Sequence, residues 1–233
     1  MKRLAILDMD GTLLDAQTVK VLCKEFGLKA ELESIDRQAN SLNAYKISEA
    51  IALLFLGLKA KDMEKVFDSI PIVNGAKAFV DFLKSNNFIT AIVTDSYVFL
   101  ASRLAKRLNI DIVKGNELEI CNGTITGRIT MPLGWEKQKD CLKKAICKLR
   151  VMRELAKENS VDINGILAVG DTKNDLCMVE KAKIGVAFRP KDPEITKVAD
   201  ITVQTDFFEL IRKLKEFQPE WWIHDYSGQE INS

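Results

Sequence analysis

The sequence predicts an α/β protein: a mainly parallel sheet with helices on both faces, plus a small helical unit inserted after the first strand. Three observations predict it. Short apolar runs at residues 4–7, 89–93, 166–169 and 184–188 have the length and composition of buried parallel strands. Amphipathic stretches at helical spacing, such as residues 76–85 and 97–108, alternate with them, which is the pattern of a parallel sheet covered on two sides. Between residues 15 and 70 no convincing strand occurs, and that interval is too long for an ordinary strand-to-strand connection.

The elements follow in order. After the first strand, Asp15 is placed to cap a helix running to Phe26. Val19, Leu22, Cys23 and Phe26 share one face of it, and Gly27 stops it. Residues 29–43 read as a weaker, polar helix. Residues 47–56 read as a helix apolar on most sides, ended by Gly57 and expected to be the core of the insert. Asp62 is expected to cap another helix, and Pro71 and Gly75 mark the return to the sheet. The expected units are a core of residues 1–14 and 75–217, an insert of residues 15–74 and a tail of residues 218–233.

In the second part, a helix with Phe79, Val80, Phe82 and Leu83 inside precedes the strand that ends in Thr94-Asp95-Ser96. A helix, a short strand at 110–113 and a hairpin at 118–129 around Asn122-Gly123 come next. Residues 136–158 read as one long helix. Strands at 166–169, 184–188 and 201–203 follow, with helix starts at Asp192-Pro193 and Asp206 and a last helix ending before Pro219. Trp221, Trp222 and Tyr226 predict a tail folded back on the body.

Composition excludes several classes. A chain of 233 residues with 47% hydrophobic and 29% charged residues buries a real core. A net charge of +1 gives no footprint for nucleic acid or an anionic membrane. The most apolar stretch, residues 50–58, is far short of the roughly 20 residues of a membrane span. Five scattered cysteines without a C-x-x-C pair predict reduced thiols in a cytoplasmic protein. With a single histidine, His224, triads and His-rich metal sites are nearly excluded, so chemistry falls to carboxylates.

Those carboxylates have a pattern. Asp8 and Asp10 follow the first strand, Thr94 ends the second, and Asp171 and Asp175 follow a third. In a parallel sheet these carboxyl ends share one edge, where ligands bind. Such a cluster repels itself unless a cation is present, and oxygen donors of this kind suit Mg²⁺.

Asp8-x-Asp10-Gly11-Thr12, an apolar strand ending in Thr94, a lysine, and Gly170-Asp171-x-x-x-Asp175 together resemble the haloacid dehalogenase superfamily. The resemblance runs from Lys2 to about Leu214, and the hairpin and Asn174 are most similar to its phosphoserine phosphatase branch. It implies a Rossmann-like core with a helical cap and a phosphatase acting on a small phosphorylated metabolite, as monomer or homodimer. Asp8 is the implied nucleophile and Asp10 the acid and base. Asp8, Asp10 through its backbone carbonyl, and Asp171 are the implied Mg²⁺ ligands, with Asp175 completing the metal site from behind. Thr94 is implied to hold a phosphoryl oxygen, and Gly11, Asp95, Asn174 and Gln17 to face the substrate. The motif lysine is expected at Lys139, with Lys137 as the alternative and Lys143 and Lys144 nearby.

Asp10 narrows the class. Transport ATPases of the superfamily have Thr there, and dehalogenases lack a second Asp, so phosphatase or phosphomutase is favoured. A phosphonatase would need a cap lysine such as Lys20, Lys24 or Lys46 as a Schiff base. A binding protein on this fold would be expected to lose Asp8, Asp10 or Asp171, and all three are present. In the phosphoserine phosphatases that the chain resembles, one cap helix supplies a Glu for the substrate's ammonium and another an Arg for its carboxylate. The matching positions here are Gln17 and residues 45–56, which hold no arginine, so the resemblance implies a substrate other than phosphoserine.

Overall fold

Strand β1 (Arg3–Leu7) leads into four helices, α1 (Thr18–Glu25), α2 (Lys29–Gln38), α3 (Ala44–Leu54) and α4 (Ala60–Asp68). Helix α5 (Ala76–Ser85), β2 (Phe88–Tyr97), α6 (Val98–Leu108), β3 (Ile112–Cys121) and β4 (Thr124–Thr130) follow. The chain continues through α7 (Lys148–Glu158), β5 (Ile166–Gly170), α8 (Leu176–Lys181), β6 (Ile184–Phe188), α9 (Pro193–Val198), β7 (Ile201–Val203) and α10 (Phe207–Phe217). This is a computed structural model, and it describes residues 2–38, 44–132, 146–217 and 219–222.

The strands form one seven-stranded sheet in the order β4-β3-β2-β1-β5-β6-β7. All neighbours are parallel except β3 and β4. Helices α5, α6 and α10 bury Phe79, Leu100 and Phe207 on one face, in a cluster that also takes in the inserted helices. Helices α7, α8 and α9 bury Val151, Met178 and Ile195 on the other. Both faces being covered is why β1 reads as a continuous apolar run rather than an alternating one. No helix among the described residues is long and apolar enough to cross a membrane.

Register sets the site. Leu7 pairs with Ile92 of β2 and with Val169 of β5. The next residues along, Asp8, Val93 and Gly170, therefore stand level, and Asp8 N–H donates to Val169 O at 3.0 Å. Thr94 and Asp171 come one residue later, at the same edge.

The inserted helices are tied to the sheet domain at two places. At their ends, Asp15 N–H donates to Pro71 O and Val73 N–H to Leu13 O, both at 2.9 Å. In their middle, the turn after α3 joins the β3–β4 hairpin. Gly57 N–H donates to Ile125 O at 2.9 Å, Ile125 N–H to Leu58 O at 2.9 Å and Ala60 N–H to Gly123 O at 3.0 Å. The hairpin turn is built from Asn122 (φ 49°) and Gly123 (φ 74°), the two left-handed residues of a type I′ turn.

Several expectations are corrected. The second strand does not stop at Val93: β2 runs to Tyr97 through a register shift between those residues. The short strand at 110–113 and the first hairpin strand are one element, β3, parallel to β2 and then antiparallel to β4. Of the helix expected over 136–158, residues 136–145 lie outside the described residues. Ile146 and Cys147 are not helical, because Ile146 N–H is held by Asp95 Oδ1 at 3.0 Å, so α7 starts at Lys148.

Asp15 does not cap α1. Its carboxylate pairs with Arg189 at 2.8 Å, and Gln17 is the cap residue. Asp62 lies inside the first turn of α4, which Lys59 precedes. Around α3 only one side is covered: Ala52 and Phe55 are buried while Leu53 and Leu56 are 58% and 60% exposed. The tail does fold back as far as it is described. Trp221 and Trp222 are buried beside Phe88, and Trp222 Nε1 donates to Leu214 O at 2.7 Å. Tyr226 and His224 lie outside the described residues.

Candidate active site

A cavity of about 380 Å³ opens at the carboxyl edge of the sheet. Its floor is Asp8, Asp10, Lys148, Asp171, Thr172 and Asn174. Asp95, Ser96, Asn116, Met131 and Ile146 form one wall. Gln17, Val19 and Lys20 of the α1 segment, Leu32 and Asp36 of α2, and Ile47, Ser48 and Ile51 of α3 form the other.

Asp8 is 5% exposed and its neighbours fix both oxygens. Oδ1 is paired with the Lys148 ammonium, and Oδ2 accepts from Thr12 Oγ1 at 3.3 Å. Lys148 also reaches Asp175 Oδ1 at 2.6 Å. Asp175 Oδ2 in turn accepts from Thr172 N–H at 3.1 Å and Asp171 N–H at 3.2 Å. Asp175 thus holds the loop after β5 and one side of Lys148 at once. Gly170 permits this, since a Cβ there would meet the Asp175 side chain at 2.3 Å.

Burial pushes the Asp8 carboxyl well above the ordinary range, Lys148 opposes this, and Asp175 and Asp171 add to it by repulsion. Burial would lower Lys148, but Asp175, Asp8 and Asp95 outweigh it and raise the ammonium well above its usual value. The surrounding carboxylates therefore favour the charged form of Lys148. Asp171 is also raised, first by burial, with Lys191 at 2.5 Å opposing.

Asp10 has a different setting. Oδ1 accepts from both Thr18 N–H and Thr18 Oγ1, so this carboxylate caps the first turn of α1. Burial pushes its pKa up to about 6, against those hydrogen bonds and Lys148. Gly11 (φ 89°) does not line this cavity but a second one beside it. A Cβ at Gly11 would lie 2.1 Å from Lys191 Nζ and 2.3 Å from Asp171 Oδ2, so glycine is what lets that pair close on Asp10's turn.

Of the expected residues, Asp8, Asp10, Asp171, Asp175, Asp95, Asn174 and Gln17 come together here, all but Asp175 at the cavity surface. Thr94 is 1% exposed and behind the surface, with its Oγ1 accepting from Ser96 N–H at 3.0 Å. Asp95 is a bracket: Oδ1 takes Ile146 N–H, and Oδ2 takes Asn174 Nδ2 at 3.2 Å. Burial raises its pKa, with Lys148 opposing. Lys137 and Lys139 lie outside the described residues. The lysine on Asp8 is Lys148, which the sequence reading passed over. Val151, Met152 and Leu155 at helical spacing after it were the available signal that Lys148 opens a buried helix.

Oxygens of Asp8, Asp171 and Asp175 lie within 4.8 Å of one another. The residues fit a hard cation: the donors are carboxylate oxygens, they are buried, and three carboxylates share the two lysines Lys148 and Lys191. Lys191 stands against Asp171, but its side chain is 47% exposed and can swing away.

Residues 5–180 match the family of haloacid dehalogenase-like hydrolases. The chain is 32% identical over 207 residues to a phosphoserine phosphatase of Archaeoglobus fulgidus, covering 88% of this chain and 57% of that one. It is 32% identical over 219 residues to a phosphoserine phosphatase of Streptococcus thermophilus, covering 93% and 97%. A solved structure described as a phospho-aspartyl intermediate analogue of phosphoserine phosphatase superposes with a TM-score of 0.76 at 26% identity, covering 91% of this chain and 98% of that one.

Proposed function

The chain belongs to the haloacid dehalogenase-like hydrolase family, and we propose on that premise that it is a Mg²⁺-dependent phosphatase of a small phosphate monoester. The observation that carries this reading is one cavity holding Asp8, paired with a buried ammonium, and Asp10, whose hydrogen bonds all go to one oxygen.

In the first step an Asp8 oxygen attacks phosphorus and the bond to the ester oxygen breaks. Asp10 gives its proton to the leaving oxygen. In the second step water attacks the aspartyl-phosphate, Asp10 takes a proton from that water, and the bond to Asp8 breaks to release phosphate. Lys148 offsets the charge on Asp8 and the phosphoryl group throughout. Asp8, Asp171 and the Asp10 carbonyl would hold Mg²⁺, with Asp175 behind them. The bound ion supplies a hard positive charge that quiets carboxylate repulsion and draws charge from a phosphoryl oxygen. The inserted helices act as the cap over this chemistry. Among the described residues, Cys23, Cys121, Cys147 and Cys177 are free thiols, which supports a cytoplasmic location.

The test is hydrolysis of p-nitrophenyl phosphate. Turnover is expected with Mg²⁺, to vanish with EDTA, and to return on adding Mg²⁺. Ca²⁺ is expected to inhibit, since its looser shell lets a carboxylate bind through both oxygens. Full activity in metal-free buffer refutes the metal site.

Asp10 sets a pH limb. Its acid form is lost as pH rises through about 6. For alkyl phosphates, which need leaving-group protonation, kcat/KM is expected to fall as pH rises through that value. In Asp10→Asn this limb is absent, and alkyl esters lose more rate than p-nitrophenyl phosphate. Equal losses for both ester types count against Asp10 as the acid.

The head of the ester has two readings. Gln17 carries no charge, and Ile47 and Ile51 are apolar, which favours a neutral head. Lys20 and Asp36 bring opposite charges to the same wall and favour a zwitterion, such as the phosphoserine in the relatives' names. We take the first reading. A tenfold preference in kcat/KM (about 1.4 kcal/mol) for L-phosphoserine over a neutral alkyl phosphate reverses the choice.

A further inference from the structure

Among the described residues, two buried side-chain atoms have no hydrogen-bond partner: Ser96 Oγ and Asn116 Oδ1. Native folds keep few such atoms, because an unpaired buried polar group costs stability. Both residues line the catalytic cavity, although they are only 3% and 4% exposed. Asn116 pairs with Tyr97, the residue after Ser96, where β2 and β3 meet, and it is the shared cavity that brings the two residues to one place.

The orientation of Asn116 is fixed by its other end. Nδ2 donates to Asp95 O at 2.7 Å, and a flipped amide would set two oxygens against each other. Oδ1 is therefore an acceptor waiting for a donor. A phosphoryl dianion has only acceptors and cannot satisfy it. Asn116 Oδ1 therefore addresses the other part of the ester, the leaving group, and Ser96 Oγ lies at the same wall.

Among the described residues, the carboxylate of this wall is Asp95. Both oxygens of the Asp95 carboxylate already accept a hydrogen bond, from Ile146 N–H and from Asn174 Nδ2. What remains is one neutral acceptor and one hydroxyl that can donate or accept, the complement of an alcohol O–H.

We propose that Ser96 and Asn116 form a hydroxyl-recognition subsite and that the substrate is a phosphate monoester of a polyol; this rests on the phosphatase reading above. A site built to hydrogen-bond a hydroxyl rejects the analogue lacking it, because its own polar groups are then left unpaired.

The experiment compares kcat/KM for glycerol 1-phosphate and propyl phosphate, which share a chain length and differ in hydroxyls. The ratio is taken within each protein, so a general loss of activity cancels. In the wild-type protein a preference for glycerol 1-phosphate of about tenfold or more is expected. In Ser96→Ala that ratio is expected to fall at least fivefold, and Ser96→Gly serves if the alanine variant does not fold. A wild-type ratio near one overturns the proposal, as does an unchanged ratio in the variants. Preference for L-phosphoserine over glycerol 1-phosphate overturns it in favour of an ammonium-bearing head. If p-nitrophenyl phosphate is not turned over at all, the phosphatase reading fails first and the subsite falls with it.

Discussion

Asp8→Asn is expected to lower turnover of p-nitrophenyl phosphate by about four orders of magnitude or more, with the fold intact. Asparagine keeps the shape and can still face Lys148 and Thr12, but its amide is no nucleophile. It also removes one of three carboxylates that crowd one another, so folding does not suffer. A thermal melt beside the rate assay separates the two effects. Wild-type turnover in a folded Asp8→Asn protein ends the covalent mechanism.

Lys148→Met is expected to damage both rate and stability. The ammonium is buried against Asp8 and Asp175, with side-chain exposures of 3%, 7% and 0%. Removing one partner of a buried ion pair costs about 3–5 kcal/mol, since the remaining charges lie unpaired. For a chain of this size, each kcal/mol lowers Tm by about 2–4 °C. Turnover is expected to fall by about two to three orders of magnitude, as for loss of a charge-stabilising donor.

The pH sign is also defined. Without Lys148 the Asp8 and Asp95 carboxyls have folded pKa values further above their unfolded value of about 3.9. The folded state then binds more protons than the unfolded one above that pH, so the stability deficit widens as pH rises and narrows as it falls. Lys139→Met is the paired experiment. A loss in that variant with Lys148→Met unaffected returns the role to Lys139.

The carboxylates were legible because local sequence determines them. Asp8 and Asp171 follow apolar runs that cannot continue past them, and parallel pairing then brings the strand ends together. Lys148 was not legible for the same reason in reverse. Its partners are 140 and 27 residues away, and the local signal is no more than the helical spacing of Val151, Met152 and Leu155 after it. The caps were misread because a carboxylate near a helix start has other options. Asp15 goes to Arg189, while Asp10, eight residues before Thr18, takes over the start of α1. The length of β2 depends on its pairing with β3, which periodicity does not encode. Ser96 and Asn116 look like ordinary turn and strand residues until their neighbours are known.

The clamp between the β3–β4 hairpin and residues 57–60 has a kinetic meaning. A segment hinged only at its two ends can swing about one axis. This one is also sewn to the sheet between its third and fourth helices by three main-chain hydrogen bonds, from Gly57, Ala60 and Ile125. A whole-body swing would have to break all three at once, whereas bending within α1 and α2 breaks none. Traffic of ester and phosphate then passes through a narrow breathing motion near Val19, Leu32 and Asp36. Amide exchange at the three sewn positions would track global unfolding, while α1 and α2 exchange sooner. The size of ester admitted would follow how far those two helices bend, and bulky phosphorylated chains would be excluded at the mouth before any chemistry discriminates among them.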